Sequence, residues 1–546
     1  MRSSLLRGLW VAGFVLGWAP ALHAQQPAPI PSPDGPRPDP APEPADPPDD
    51  DPGPTKPKPG AAPEDPTEPT PALGDVDVGA PNMGTMIDPP RPRTGPSLTL
   101  GRVLRSMDET HPKLDEAESK VEAAEGKLQS KEGAFDPKAK VSVKGQPLGY
   151  YVKGLFDAKV SQETPLWGAS FYAGYGRSFG DWPTYDGQFI TMNGGEVYAG
   201  FDLPVWRGGP IDQRRADIAQ AEIAVTGAER DRDMTALLLD NTAAYAYWTW
   251  VEAGLVLEIN EELLAVATRR NQGLVRRIEA GAAPDIEGID NQRAIFERQT
   301  KVIAARRKLE TAAIKLGLYL RDREGRTRRP GRDKLPERIP EPDEPDAAGL
   351  MDDIRLAQDR RADVRALQAA VEHAEVEADL RDNQVAPQVN IYGWASQDIG
   401  TTSLQDKDPT ETSNLRPFDL GVGVSVEIPL LLRKDRGNSA AARGKLGAAR
   451  AKIRWQRDQA EADVRQAYAN LSAAYETVSL ARDTRKAAEA LARAERRKFA
   501  LGSSDILYVN IRELYAAEAA TKEVKALADY QRALADYLTA SGRGIR

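Results

Sequence analysis

No proline interrupts the chain between Leu430 and its C-terminus, and within that span Asn438 to Phe499 reads as one unbroken helical pattern. A helix of roughly sixty residues would extend about 90 Å at about 1.5 Å per residue, well beyond what one globular domain needs. Its apolar positions Val464, Tyr468, Leu471, Tyr475 and Val478 advance by alternating steps of four and three. That is the heptad seam of a coiled coil rather than the broader stripe of a helix lying on a core. Alanine fills much of the remaining face, so neighbouring helices can approach closely. Taken alone, the stretch suits a rod or spacer coiled coil.

The composition narrows the class. With 28% charged residues and a mean hydropathy of −0.52, the 546-residue chain is no bundle of membrane-spanning helices. Beyond the N-terminus no run reaches the roughly eighteen consecutive apolar residues that such a helix needs. A net charge of −9, with no basic patch interleaved with aromatics, gives no argument for nucleic acid. The chain has no cysteine, which excludes disulfides, thiolate metal sites, a cysteine nucleophile and a lipid-modified N-terminal cysteine. Of the three histidines, His23 falls in the leader, while His111 and His373 lack a second ligand at metal-site spacing and are expected on helix surfaces. No nucleophile elbow, P-loop or dinucleotide fingerprint is present, and the carboxylates are dispersed along helices. The expectation is a protein without enzymatic activity, cofactor or metal.

Residues 1–24 read as a secretory signal: Arg2 and Arg7 precede an apolar stretch from Leu9 to Trp18, and small residues near Ala21 or Ala24 suit cleavage. An uncleaved anchor is the other reading, but the apolar run is too short to span. Residues 25–96 are proline-rich and acidic, unable to bury enough apolar surface to offset their ordering entropy, and are expected to form a disordered, solvated arm.

The remaining chain contains one pattern twice. HPKLDEAESKVEAAEGKLQSKEGAFDPKAKV at 111–141 matches RADVRALQAAVEHAEVEADLRDNQVAPQVNI at 361–391, with Pro137 on Pro387. GFDLPVWRGGP at 200–210 matches VSVEIPLLLRK at 424–434, with Pro204 on Pro429, each a strand ending at a proline before a long helix. DNTAAYAY and DVRQAYAN align through Tyr245 and Tyr468, and RRIEAG at 276–281 pairs with RRKFALG at 496–502. The organisation expected is a first helix-strand-helix repeat over 97–320, a charged linker over 321–349 and a second repeat over 350–546. In that linker Arg321 to Lys334 is basic and Glu337 to Asp346 acidic and proline-rich, a composition that suits a solvated segment.

Glu196–Leu203 and Phe418–Ile428 alternate strictly between apolar and small or polar residues. A soluble half-buried strand gives the same alternation, but a transmembrane barrel requires it, because lipid takes one face and water the other. Two such strand pairs cannot close a membrane barrel alone, so several chains would have to share one, with the long helices as staves of a cylinder continuing it.

In this combination of order and spacing, from about Thr99 to Gly542, the chain resembles the TolC-type outer-membrane factor family. The resemblance rests on the duplicated architecture, Pro204 and Pro429, the two glycine turns and the C-terminal ADYQRALADYLTASG at 528–542; GDWPTYDG at 180–187 and TMNGGE at 191–196 fit a subset of the family. It implies a mainly α fold with membrane β: a long antiparallel coiled-coil tunnel of helices plus a shared barrel, each protomer of a homotrimer giving four of twelve strands. It implies an outer-membrane exit duct, embedded in outer-membrane lipid with its helices in the periplasm. The duct would be engaged by a periplasmic adaptor and an inner-membrane transporter, in a tripartite efflux pump or type I secretion system. Cargo would be drugs, metal ions or polypeptides.

By the same resemblance the pore closes where the helical hairpins turn, at Ala280–Pro284 and Leu501–Ser504, with Gly281, Pro284, Gly502 and Ser503 forming the tips. Asp285, Glu287, Asp290 and Asp505 are the candidate pore carboxylates, whose threefold repetition would favour cations. Capping of helix N-termini is the competing role, above all for Asp285 and Asp505. Pro284 and Tyr508 depart from the usual pattern at the tips. The alternative to a duct is an exported coiled coil bridging envelope layers without a pore.

Overall fold

A computed structural model describes residues 96–182, 191–400 and 418–545. The leader, all but the last residue of the proline-rich arm, and 183–187 of the GDWPTYDG stretch lie outside the described residues.

Two very long helices dominate, α3 (Gln213–Glu279, 67 residues) and α7 (Arg433–Ala500, 68 residues). Each is about 100 Å long at about 1.5 Å per residue. Each turns back into a shorter partner, α4 (Asp285–Leu316) and α8 (Ile506–Ala540). Alanine, leucine, glutamate and arginine carry these helices, and proline is absent from their interiors, so little local propensity opposes their length. Asp212 starts α3 by accepting a 2.8 Å hydrogen bond from the Arg215 backbone N–H. The heptad seam packs as expected: Val464, Leu471 and Val478 are buried, while the Tyr468 and Tyr475 rings lie 6.0 and 6.5 Å from Tyr537 and Tyr530 of α8. On its other side α8 presents Ala528 and Ala535 to a second core, built from Trp250, Val251, Leu257 and Leu264 of α3 and Ile295, Val302 and Leu309 of α4. Alanines at both seams let α8 lie close between its neighbours.

Short helices α1 (Leu100–Thr110) and α2 (Pro112–Glu132) precede the sheet in the first half, and α5 (Leu350–Arg360) and α6 (Ala362–Asn383) in the second. His111 is not on a helix surface. It sits buried at the α1–α2 junction, where its Nδ1 accepts from the Lys113 N–H at 3.2 Å and its ring stacks on Tyr319 at 6.0 Å. Pro112 supplies the fixed φ that opens α2. His373 is exposed, as expected. The charged linker is also not loose: Leu335 and Ile339 are 1% and 3% exposed within the α3 core, and a Cβ on Gly254 would overlap the Leu335 side chain. Arg332 forks onto Glu261, Arg482 pairs with Glu341, and the Tyr530 hydroxyl donates to the Asp343 carbonyl at 2.7 Å. Two apolar anchors, two ion pairs and a tyrosine hydrogen bond dock it.

The sheet contains six described strands in sequential antiparallel order rather than four: β1 (Lys138–Gln146), β2 (Lys153–Glu163), β3 (Ser170–Gly180), β4 (Glu196–Pro204), β5 (Gln388–Asp398) and β6 (Phe418–Glu427). It is open, with β1 and β6 as its edges. Two strand pairs are what the alternation shows; the chain carries an extra hairpin whose alternation is blurred, since β3 places aromatic rings on both faces at Phe171, Tyr172 and Tyr175. Pro137 and Pro387 lie immediately before β1 and β5, Pro204 closes β4, and Pro429 lies two residues beyond β6. Lacking an N–H, proline suits these strand ends.

Register puts like residues on one face across the sheet. Ala139, Val160, Ala173, Ala199, Ala395 and Leu420 form one cross-strand row, and the next row is Lys140, Lys159, Gly174, Tyr198, Ser396 and Asp419. The apolar face is open: Val141, Val143, Leu420, Val422 and Val424 are all more than 60% exposed. Strand lengths of 9 to 11 residues match what a tilted strand needs to cross a bilayer. Val422→Arg and Val424→Arg should therefore each cost roughly 2–4 kcal/mol in folding measurements on lipid bilayers, whereas Ser425→Arg on the polar face should cost far less.

Candidate functional site at the helix turns

The two hairpin turns are built alike. At the first, Gly281 has φ +71°, its N–H donates to the Ile278 carbonyl at 2.8 Å, and the Ala282 N–H donates to Arg277 at 2.7 Å. At the second, Gly502 has φ +74°, its N–H donates to Phe499 at 3.0 Å, and the Ser503 N–H donates to Lys498 at 3.0 Å. Both are Schellman closures, in which a left-handed residue lets the chain satisfy the last carbonyls of the helix. The Ser503 hydroxyl adds a bond to the Lys498 carbonyl at 3.1 Å.

Among the carboxylates picked from sequence, the structure separates the roles. Asp285 follows Pro284, which occupies the N-cap of α4 without a side-chain bond, and Asp505 occupies the N-cap of α8 without one. Both are exposed, so any capping is through the helix dipole alone. Glu287 is half-buried in the first turn of α4. Asp290 is held on both oxygens, by Arg293 at 3.0 Å and by the Asn510 amide at 3.1 Å. Around these groups the tips expose Ile286, Ile289, Leu501 and Tyr508.

A polar cluster just above the turns went unnoticed in the sequence. Glu513 of α8, 3% exposed, meets one arginine from each of the other three helices: Arg270 of α3 at 3.0 Å and Arg496 of α7 at 3.2 Å on Oε1, and Arg298 of α4 at 3.3 Å on Oε2. Asn510, one helical turn earlier, accepts from Arg270 at 2.5 Å and Arg298 at 3.3 Å. Arg298 also donates to the Leu263 carbonyl at 3.0 Å, and fully buried Asn291 accepts from Arg270 at 3.3 Å and donates to Asn271 at 2.9 Å. Burial lowers the Arg298 pKa, and Glu513 opposes that shift; a guanidinium stays charged regardless. A detectable signal existed: Asn510 and Glu513 continue the buried spacing of Ile506 and Val509 on α8, as Asn291 and Arg298 do that of Ile295 and Val302 on α4. Polar residues on an apolar seam mark a cluster rather than a solvated face.

This arrangement ties four helix ends through one carboxylate. Buried ion pairs contribute little net stability, but removing one partner strands the others. Glu513→Ala should destabilise the tips by about 3–5 kcal/mol, measured as earlier hydrogen exchange at 263–298 and 496–513, with Glu513→Gln intermediate. Gly281→Ala and Gly502→Ala, where an added Cβ meets nothing within 4 Å, should each cost only the left-handed backbone penalty of about 1–2 kcal/mol.

Comparison with known proteins places this geometry. Residues 354–543 match the sequence profile of the family described as Outer membrane efflux protein. No curated protein matches the sequence. Among solved structures, CusC aligns with a TM-score of 0.58 at 15% identity, covering 84% of this chain and 98% of its own. VceC of Vibrio cholerae aligns at 0.57 and 15%, covering 82% and 97%, and the CmeC outer membrane channel of Campylobacter jejuni at 0.55 and 12%, covering 82% and 89%. At these identities the likeness is one of fold. Residues 354–543 thus match the outer membrane efflux protein family, and the chain has the fold of these outer-membrane channels.

Proposed function

We propose that the chain is one subunit of a homotrimeric outer-membrane exit duct, passing small molecules, metal ions or polypeptides across the periplasm and outer membrane. The observation that carries this reading is the continuity of two surfaces. A sheet with one mainly apolar face, exposed at the valines of β1 and β6, runs directly into helices of about 100 Å through Pro204 and Pro429. The apolar face suits lipid, and the helices reach across an aqueous compartment. A periplasmic adaptor and an inner-membrane transporter of a tripartite pump or type I secretion system would engage the periplasmic end, where the tips expose Ile286, Ile289, Leu501 and Tyr508.

In this reading there is no chemical step; the duct works by separating its tips. Moving α7–α8 away from α3–α4 breaks the Glu513 contacts to Arg270 and Arg298 while leaving Arg496 on the moving pair. The buried cluster is then a latch, and Asp285, Glu287, Asp290 and Asp505 line or flank the opening, where carboxylates would favour cations. A non-porous envelope rod, the other reading, leaves the exposed valines of β1 and β6 without an occupant.

The deciding experiment is single-channel conductance of the detergent-purified protein in planar bilayers, with native mass determined in parallel. A trimer with discrete conductance, raised by Glu513→Gln, is the expected result. A water-soluble species that never enters bilayers would overturn the duct and leave the rod.

A further inference from the structure

The two free edges of the sheet are made for each other. Six strands is an even number, so β1 and β6 run in opposite directions, and a β1 placed beside the β6 of another copy continues the antiparallel order. Their exposed apolar faces match, Val141 and Val143 on one and Val422 and Val424 on the other. Their opposite faces carry opposite charge: Lys138, Lys140 and Lys144 on β1, Asp419 and Glu427 on β6. Among the described residues no acidic group pairs with those lysines, and no basic group with Glu427. Long, flat, unpaired edges with exposed valine are otherwise an aggregation hazard.

We propose that each copy docks β1 on β6 of its neighbour and that three copies close a barrel of eighteen strands, not the twelve that four strands per copy would give. This rests on the homotrimeric duct reading. Register fixes the details. Following the ladder from Lys138 through Ser161, Tyr172, Gly200 and Trp394 leads to Gly421, six residues short of Glu427. Lys138 follows the α2 end of the chain and Glu427 precedes α7, so both stand at the helical end of the sheet. Aligning them offsets each copy by six residues over six strands and keeps apolar face with apolar face. A barrel whose shear equals its strand number tilts its strands by about 36°, within the range membrane barrels adopt. The same alignment sets Val141 opposite Val424, Val143 opposite Val422, and Lys144 two residues from Asp419.

The consequence is a wide exit. With strands about 4.8 Å apart and tilted about 36°, eighteen strands give a radius of about 17 Å against about 11 Å for twelve, the size class of water-filled porins. The polar face keeps that width clear: the rings of Tyr172, Tyr198, Tyr392 and Trp394 lie flat over Gly200, Gly174, Gly423 and Gly421 of adjacent strands, where any Cβ would collide with them. The added hairpin also ends in membrane-exit chemistry like that of β4: Pro165 and Trp167 after β2 parallel Pro204 and Trp206, both tryptophans more than half exposed, as at a bilayer interface.

The absence of cysteine makes the test direct. Val141→Cys combined with Val424→Cys, oxidised in the purified full chain, should give a covalent trimer on denaturing gels that neither single variant gives. Within one chain the two sites lie about five strand spacings, or about 24 Å, apart along the sheet, too far for a disulfide. Val141→Cys with Leu420→Cys, off register by four residues, should not cross-link. Lys138→Glu should lower the cross-linked yield several-fold, and Glu427→Lys in the same chain should restore it. A native trimer that cross-links at neither Val424 nor a neighbouring β6 position would overturn the edge pairing while leaving the duct. A species that never trimerises would overturn both.

Discussion

Every backbone N–H and C=O removed from water must find a partner, and this constraint divides the molecule. The long helices meet it internally, residue by residue, and can therefore extend for about 100 Å with only a narrow seam holding each pair together. The sheet meets it only across strands, so its two edges stay unpaired in a single copy. Helices are completed within one chain; this sheet, in one copy, leaves β1 and β6 as open edges.

Packing along the helices follows from the same economy of contact. Alanine at the seams brings α8 between two neighbours, and tyrosine pairs such as Tyr468–Tyr537 fill the gaps that alanine leaves. At the tips the apolar seam gives way to Asn510 and Glu513, and cohesion passes from non-directional burial to a few directional bonds. A seam of leucine slides at small cost. One built on Glu513 and three arginines holds a single arrangement or none.

Much of this was legible in the sequence. The unbroken run from Asn438 to Phe499, the strict alternation of β6 and the glycine turns all rest on local periodicity or on a single backbone requirement, and each appears where expected. The extra hairpin was missed because Tyr172, over Gly200 on the polar face, and Arg177 on the apolar face blur the alternation of β3. The docked linker was misread because its composition shows neither the burial of Leu335 and Ile339 nor the pairing of Arg332 with Glu261 and of Glu341 with Arg482. The Glu513 cluster depends on four helices meeting, a relation that no single window of sequence contains.

Gly254 bears one more consequence. By admitting Leu335 it lets the linker clamp α3 near its middle, leaving the segment to Glu279 as a beam fixed at one end. Those 25 residues span about 38 Å, so a tilt of about 5° at the clamp displaces the free end by about 3 Å. Buried contacts of the Glu513 kind fail over that distance. A small tilt where the linker holds α3 is thus a displacement of contact-breaking size at the hairpin turn.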